Sequence, residues 1–190
     1  EITTASASAS TSNTKFTPLP IDKVIDYTKQ IINGLLTLHS QNIIYGNFGL
    51  NNIILSNDDQ IYLTDFWINN VIQNKYVVSN KHKIDALLFT PPELLSKNGS
   101  GGFYNNVWSL GVIVFVMIFG NYPFYSDKYE DLKNKILHND PEYPKNITEI
   151  QKDFFKKIFN KETPLRITLS QILRHNLFGG NKRSNSFSFD

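Results

Sequence analysis

The sequence predicts a mostly helical α+β domain, a helical bundle that carries small β-hairpins and long loops along one edge. Apolar residues recur at helical spacing from Ile21 to Leu36, which indicates an amphipathic helix. The apolar run from Val112 to Phe119 is far shorter than the roughly 20 residues that span a bilayer, so it predicts a buried core helix. The short β-type segments come together after the first helix, and a run of helices follows them, an order that is typical of an α+β domain.

The first half of the chain predicts one long helix followed by short strands. The helix runs from residue 21 to about residue 40, and β-type pairs or triplets follow at 43–44, 53–55 and 61–63. The last two are separated by Ser-Asn-Asp-Asp, which has the composition of a hairpin turn. Residues 66–90 show little periodicity and predict a long irregular loop, a feature that is usually functional in a compact domain.

The second half predicts helices almost throughout. One runs from about residue 106 to Gly120, and a weaker one covers about 129–137. Two later helices begin with Thr-x-x-Gln capping boxes, in which the side chains satisfy the first free backbone N–H groups. The boxes are Thr148 to Gln151 and Thr168 to Gln171.

Three segments are expected along the chain. Residues 1–19 begin with a Ser-, Thr- and Ala-rich stretch that has too few apolar residues to offset its ordering entropy, so we expect a flexible lead-in. Residues 20–178 form the folded domain, and the polar residues 179–190 form a mobile tail.

Composition excludes several classes of protein. The chain has 190 residues, 41% of them hydrophobic and 19% charged, with a net charge of +2 and no cysteine. These values argue against a disordered chain, a membrane protein, a disulfide framework and a nucleic-acid surface. Lysines 152, 156, 157 and 161 cluster, but they fit the solvent face of an amphipathic helix better than a phosphate-binding patch. We expect a cytoplasmic protein without nucleic-acid or membrane partners.

Six landmarks, in the right order, resemble the C-terminal lobe of a eukaryotic Ser/Thr protein kinase. Tyr-Gly-Asn at 45–47 stands where the family has His-Arg-Asp, and Asn52 follows after the family's four intervening residues. Thr-Asp-Phe-Trp at 64–67 occupies the Asp-Phe-Gly position, and Pro-Pro-Glu at 91–93 the Ala-Pro-Glu position. The central helix at 107–112, the loop after it at 120–124 and the closing Arg-Ile-Thr motif at 166–168 complete the resemblance over about residues 20–178. The Trp-Ser-Leu-Gly part of that helix and the Arg-Ile-Thr motif lean towards the calmodulin-dependent and AMP-activated kinase groups.

The resemblance places neutral residues where the family keeps charged ones. Asn47 stands at the position of the base aspartate, and an amide cannot accept a proton usefully at neutral pH. Gly49 replaces the lysine near the transferred phosphate, and Gly46 replaces the arginine that pairs with a phosphorylated activation loop. Asn106 replaces an aspartate that braces the catalytic loop, so we assign it a structural role. These changes predict impaired catalysis.

Other parts of the kinase pattern are retained. Asp65 and Asn52 match the metal-side residues of the family, so they are the candidate ligands for Mg²⁺ and ATP, with binding expected to be weak or absent. Trp67 replaces a glycine and is expected to restrict the turn and to hold a nucleotide-poor conformation. The Glu93 and Arg166 equivalents form a structural ion pair in the family, and both are present.

The resemblance leaves three functions open. The leading interpretation is a pseudokinase that binds a protein partner in signalling, either an active kinase or a substrate protein. The second is a divergent Ser/Thr kinase that transfers phosphate from ATP to protein hydroxyls, and the third is a truncated, non-functional fragment. No Gly-x-Gly-x-x-Gly loop or Val-Ala-Ile-Lys strand occurs in the sequence, so we expect the C-lobe alone, without the N-lobe.

Overall fold

The computed structural model describes residues 16–66, 80–96 and 101–180. Its described part is mostly helical with a single two-stranded antiparallel sheet, which confirms the predicted fold class. The elements are α1 (Ile21–Ser40), β1 (Ile53–Leu55), β2 (Ile61–Leu63), α2 (Asn80–Leu87), α3 (Pro92–Leu95), α4 (Phe103–Phe119), α5 (Tyr129–His138), α6 (Glu149–Ile158) and α7 (Leu169–Leu173). Short 3₁₀ turns lie at Leu50–Asn52, Thr163–Leu165 and Asn176–Phe178.

Helix α4 forms the centre of the core. Every residue from 105 to 116 is buried, because α1 packs on one side and α6 on another. The Trp108 ring stacks on Phe124 at 5.7 Å between centroids and meets Phe159 edge-on at 5.1 Å. A helix that is apolar on all sides has to be enclosed by other helices, and the run from Val112 to Phe119 predicts this arrangement.

The C-terminal end of α4 is sealed by the segment that leads into α1. Gly120 ends the helix at φ 73°, a left-handed conformation, and a Cβ there would lie 2.2 Å from the Phe16 carbonyl oxygen. The N–H of Phe16 donates to the Gly120 carbonyl at 2.7 Å, and the N–H of Leu19 donates to the Met117 carbonyl at 2.8 Å. Residues 16–19 of the predicted lead-in therefore bond to the domain, while residues 1–15 and 181–190 lie outside the described part.

Helix α1 and the hairpin match the sequence analysis. The buried residues of α1 recur at helical spacing and include Val24, Ile31 and Leu35. In the hairpin, Ile53 pairs with Leu63 and Leu55 with Ile61, around the predicted turn at 56–59. α1 packs against β2, so the long helix supports the sheet from beneath.

Two predicted features differ in the structure. Residues 43–44 form no strand, because the N–H of Ile43 bonds back to the Leu38 carbonyl at 2.9 Å and no strand of the described chain lies beside it. The predicted irregular segment 66–90 contains α2. Ile84, Leu87 and Leu88 follow the i, i+3, i+4 pattern of a short helix, and the last two are buried.

Both predicted capping boxes are confirmed. In α6 the N–H of Gln151 donates to the Thr148 hydroxyl at 3.2 Å, and in α7 the N–H of Gln171 donates to the Thr168 hydroxyl at 3.3 Å. Each glutamine side chain accepts from the threonine N–H in return. Within the described ranges, no helix has the length and hydropathy needed to cross a bilayer.

Candidate active site

The β1–β2 hairpin brings Asn52 and Asp65 to the same end of the sheet. Since Ile53 pairs with Leu63, the residue before β1 stands opposite the residue after β2, and the Thr64 N–H donates to the Asn52 carbonyl at 3.0 Å. Asp65 follows directly, with an exposed side chain, and its carboxylate accepts from the Thr64 hydroxyl at 3.2 Å. The two candidate metal ligands therefore lie on neighbouring backbone segments.

The turn at the opposite end of the hairpin is fixed to α1. The Asp59 carboxylate accepts from the Tyr27 hydroxyl at 2.5 Å and from the Lys23 ammonium group. Gln30 donates to the Asp59 carbonyl at 3.0 Å and accepts from the Ile61 N–H at 2.9 Å. The hydrogen bonds to the carboxylate, that of Lys23 first, hold the pKa of Asp59 below its usual range. The hairpin is thus fixed to the helix through both its side chains and its backbone.

Tyr45 replaces the family histidine and is buried in an aromatic cluster. Its ring packs on Phe48 at 4.8 Å and on Phe66 at 6.4 Å between centroids, and its hydroxyl donates to the Thr64 carbonyl. Burial raises the pKa of Tyr45, so the phenol stays protonated and donates. Thr64, the residue before Asp65, is therefore hydrogen-bonded to the loop that carries Asn47, a contact that no sequence pattern indicated.

Asn106 braces the loop with both ends of its amide. Its Nδ2 donates to the Tyr45 carbonyl at 2.6 Å, and its Oδ1 accepts from the Tyr45 N–H at 3.1 Å. His39 Nε2 also lies 2.9 Å from Oδ1. Asn106 is 1% exposed, so these are desolvated hydrogen bonds. At neutral pH an aspartate could not donate to the Tyr45 carbonyl, so the amide fits this backbone better than the family residue would.

Asn47, at the position of the catalytic base, is exposed at the surface of the loop. It has φ 51°, in the left-handed region that asparagine tolerates better than most residues. Within the described part of the chain, its side chain makes no hydrogen bond. The amide is therefore available to a ligand, but it is neutral and has no acid–base function near pH 7.

Gly49, at the position of the family lysine, is covered by an aromatic ring. A Cβ built on Gly49 would lie 3.0 to 3.2 Å from three carbon atoms of the Phe89 ring, closer than ordinary van der Waals contact. The Phe89 carbonyl accepts from the Ser109 hydroxyl at 2.8 Å, and its ring meets Tyr122 edge-on at 5.9 Å. The Phe89 backbone is thus fixed by Ser109 and its ring packs on Tyr122, so a side chain at position 49 would require the ring to move out of this contact.

A cavity of about 540 Å³ opens beside this loop. It lies between residues 42–48, the segment 89–91 and the start of α4, and its lining holds no Asp, Glu, Lys, Arg or His among the described residues. Its polar groups are neutral amides and hydroxyls, including those of Asn47, Thr90, Asn105 and Ser109. The cavity can form hydrogen bonds, but it offers no charge to stabilise a developing ionic transition state.

Glu93 and Arg166 are joined in a two-point ion pair. Nη1 and Nη2 of Arg166 lie 2.6 and 2.8 Å from the two carboxylate oxygens of Glu93, and Arg166 is only 2% exposed. The guanidinium also donates to the carbonyls of Asn160 and Tyr104 and stacks over Trp108 at 5.1 Å. A buried charge with all these partners fixes α3 to the segment before α7, so its role is structural.

Asp65 and Asn52 supply the hard oxygen ligands that Mg²⁺ prefers. The Asn52 Oδ1 already accepts the Gly49 N–H at 3.1 Å, and its second lone pair stays available. The described residues contain no cluster of three or more His, Cys, Asp or Glu side chains that could hold a metal alone. A Mg²⁺ ion at this site would therefore need further oxygen ligands, from water or from a nucleotide. Trp67 lies outside the described residues, so its proposed effect on the turn stays a prediction.

Comparisons with known proteins agree with this architecture. The family model described as "Protein kinase domain" matches residues 4–178. The chain is 30% identical to Serine/threonine-protein kinase PLK4 of Drosophila grimshawi over 77% of its length and 19% of that protein. It is also 30% identical to Serine/threonine-protein kinase plk-1 of Caenorhabditis elegans (80% of the chain, 23% of the relative), and 29% identical to PLK4 of Xenopus laevis (86% and 17%).

The chain thus spans about a fifth of the length of these curated relatives. Their names do not decide the predicted leaning towards the calmodulin-dependent and AMP-activated groups, which stays a prediction. The helical architecture, the hairpin that presents Asn52 and Asp65, and the match over residues 4–178 agree with one another. The chain belongs to the protein kinase domain family.

Proposed function

We propose that this chain is the large-lobe part of a catalytically impaired protein kinase that acts as a protein-binding module. The observation that carries the proposal is the neutral amide of Asn47 at the position of the base. General acid–base groups typically contribute about 10² to 10⁴ in rate, so this substitution alone would lower turnover strongly.

The surroundings of Asn47 support the same conclusion. Phosphoryl transfer depends mainly on positioning and on charge stabilisation around the phosphates. The neighbouring cavity has an uncharged lining, and the Phe89 ring covers Gly49, where the family has its lysine. Restoring a base without a cation would therefore restore only part of the chemistry.

The retained contacts support a scaffold function. Three sets of contacts fix described segments of the lobe: the Arg166–Glu93 ion pair fixes α3, and the amide of Asn106 and the aromatic cluster of Tyr45 fix the loop that carries Asn47. Rigid loops on a helical lobe suit a surface that binds another protein with little ordering cost. The expected partner is an active kinase or a kinase substrate, and ATP with Mg²⁺ is expected to bind weakly or not at all.

A divergent, active Ser/Thr kinase is the second candidate. It is favoured by the exposed Asp65 carboxylate beside Asn52 and by the similarity to named Ser/Thr kinases. A non-functional fragment is the third, and the exposed apolar side chains of the hairpin, Ile54, Leu55 and Tyr62, would favour it if the protein aggregates.

A phosphotransfer assay with radiolabelled ATP and Mg²⁺ on the full natural polypeptide separates these candidates. The variants are Asp65→Ala, the matched surface control Asp127→Ala, and a restored Asn47→Asp/Gly49→Lys/Phe89→Ala protein. We expect no transfer by the wild type and none by either single variant. Transfer that Asp65→Ala abolishes and Asp127→Ala preserves would overturn the proposal in favour of the kinase.

The restored protein and the state of the sample give two further outcomes. Continued inactivity of the restored protein, with a native circular dichroism spectrum, supports the binding module. A monomeric wild type in light scattering speaks against a degraded fragment, whereas aggregation of the wild type at micromolar concentration would point to one.

A further inference from the structure

The four clustered lysines, at 152, 156, 157 and 161, have different surroundings. Lys157 lines a cavity of about 400 Å³ together with Leu165, Ile167, Gln171, Arg174 and His175. Lys161 instead donates to the Asn139 carbonyl at 2.6 Å, and burial lowers its pKa. Lys152 and Lys156 are exposed and lie outside the cavity lining. Of the four lysines, only Lys157 therefore lines the cavity, and residues 165–175 supply the rest of its lining.

The cavity carries an excess of positive charge. Lys157 and Arg174 come from different elements, and no carboxylate is among the lining residues. The Asp153 carboxylate, on the solvent side of α6, accepts from Lys157 at 2.6 Å and pairs with His175 Nε2 at 2.9 Å. Arg174 is exposed, and its guanidinium has no hydrogen bond or ion pair within the described ranges. The Arg174 guanidinium is thus available to a ligand, whereas the Lys157 ammonium group is already paired with the Asp153 carboxylate.

We propose that this cavity binds the phosphoryl group of a phosphorylated Ser or Thr segment in a partner protein. A guanidinium matches phosphate with two parallel N–H···O bonds, and a neighbouring ammonium adds a point charge. A peptide carboxylate carries the same charge as Asp153, so it would gain little in competition for Lys157. A phosphate carries about −1.5 to −2 at pH 7 and would attract both cations more strongly.

The rim of the cavity also suits a peptide. Leu165 is 64% exposed beside the two cations, so an apolar residue next to the phosphorylated one has a surface to cover. The site is a depression that is open to solvent, so an extended segment of a partner could lie across it. This inference rests on the proposed binding function, for which it supplies the chemistry of the partner.

The experiment is fluorescence anisotropy with a fluorescein-labelled peptide library, degenerate at the four positions around one phosphoserine. The same library with unphosphorylated serine, and with glutamate in its place, provides the comparison. We expect the phosphoserine library to bind at least about 10-fold more tightly than either, and Arg174→Gln to weaken it about 10-fold, the range of one charge-assisted bond. Lys156→Gln removes an equal positive charge from α6, at a residue outside the cavity lining, and is expected to change binding less than about 2-fold.

Specific outcomes would overturn the proposal. Equal binding of the phosphoserine and serine libraries would exclude a phosphate site, and equal binding of the glutamate library would indicate a general acidic-peptide surface. An Arg174→Gln protein with wild-type binding and wild-type circular dichroism would place any binding elsewhere. These results are independent of the ATP assay: failure here leaves the inactivity of the Asn47 site intact, and kinase activity would leave this cavity intact.

Discussion

Replacing Asn106 by the aspartate of the family is predicted to destabilise this protein. Asn106 is 1% exposed, and its amide both donates to the Tyr45 carbonyl and accepts from the Tyr45 N–H. In Asn106→Asp the Oδ1 bonds are kept, while the bond of Nδ2 to the carbonyl is lost. An unsatisfied buried carbonyl costs about 1 to 3 kcal/mol. A second carboxylate oxygen facing that carbonyl adds repulsion, so we expect a loss of about 2 to 3 kcal/mol.

Urea denaturation followed by tryptophan fluorescence at pH 7.5 measures this loss. If the free energy of unfolding falls by about 2 kcal/mol for each molar of urea, the urea midpoint of Asn106→Asp should lie about 1 to 1.5 M below that of the wild type. Asn134→Asp makes the same chemical change at an exposed position of α5, and it should shift the stability by less than about 0.5 kcal/mol. Asn106→Ala should also destabilise, because it leaves both backbone groups of Tyr45 unpaired.

The pH dependence gives a second test of the same reasoning. In the Asn106→Asp variant, a protonated carboxyl group could donate to the Tyr45 carbonyl, so the folded-state pKa of the introduced carboxyl should lie above the unfolded value of about 3.9. The stability supplied by that proton is fully present below the unfolded pKa and is lost as the pH rises through the folded pKa. The deficit relative to wild type should therefore shrink on acidification from pH 7.5 to pH 5. An Asn106→Asp protein as stable as wild type at pH 7.5 would refute the two-ended amide brace.

The remaining predictions concern single buried contacts, each read from the urea midpoint. Thr28 is fully buried, and its hydroxyl lacks a hydrogen-bond partner in the described chain, so Thr28→Val should stabilise the protein by about 1 kcal/mol. Thr37→Val, at an exposed position of the same helix, should not stabilise it. A destabilised Thr28→Val protein would show that the hydroxyl is bonded. Gly49→Lys should destabilise the protein by about 1 to 3 kcal/mol, because the new side chain would overpack against the Phe89 ring. The loss of stability should be smaller when Gly49→Lys is introduced into a Phe89→Ala protein. An equal loss in both proteins would show that the Phe89 ring moves aside without cost. Tyr45→Phe should cost about 1 to 2 kcal/mol by leaving a backbone carbonyl unpaired, and an unchanged midpoint would contradict that hydrogen bond.

Much of the helical architecture is predictable because its signals are local. The periodicity of α1, the apolar run of α4 and the two Thr-x-x-Gln boxes each act within a few turns, and the structure confirms them. The 43–44 segment shows the limit of such signals. Two isoleucines favour a strand, but a strand needs a partner, and the Ile43 N–H instead closes the end of α1.

The candidate site is predictable in its residue types but not in its contacts. Spacing along the chain identified Asn47, Gly49, Asn52 and Asp65 through their resemblance to kinase motifs. The ring of Phe89 over Gly49 joins residues 40 positions apart, and no periodicity encodes such a contact. The bonds of Asn106 to Tyr45 likewise connect residues 61 positions apart. Contacts of this kind follow from how the helices pack, which a single sequence does not reveal.

The pattern of substitutions distinguishes loss of charge from loss of structure. At Asn106, a neutral amide takes the place of a charged side chain and forms one more backbone bond than a carboxylate could at neutral pH. At Gly49, the missing lysine leaves no void, because an aromatic ring fills the space. At Arg166, where charge holds the lobe together, the guanidinium and its carboxylate partner both remain. Random decay would remove structural and catalytic charges alike. The retained structural charge and the well-packed replacements therefore support the proposal of a binding module over that of a non-functional fragment.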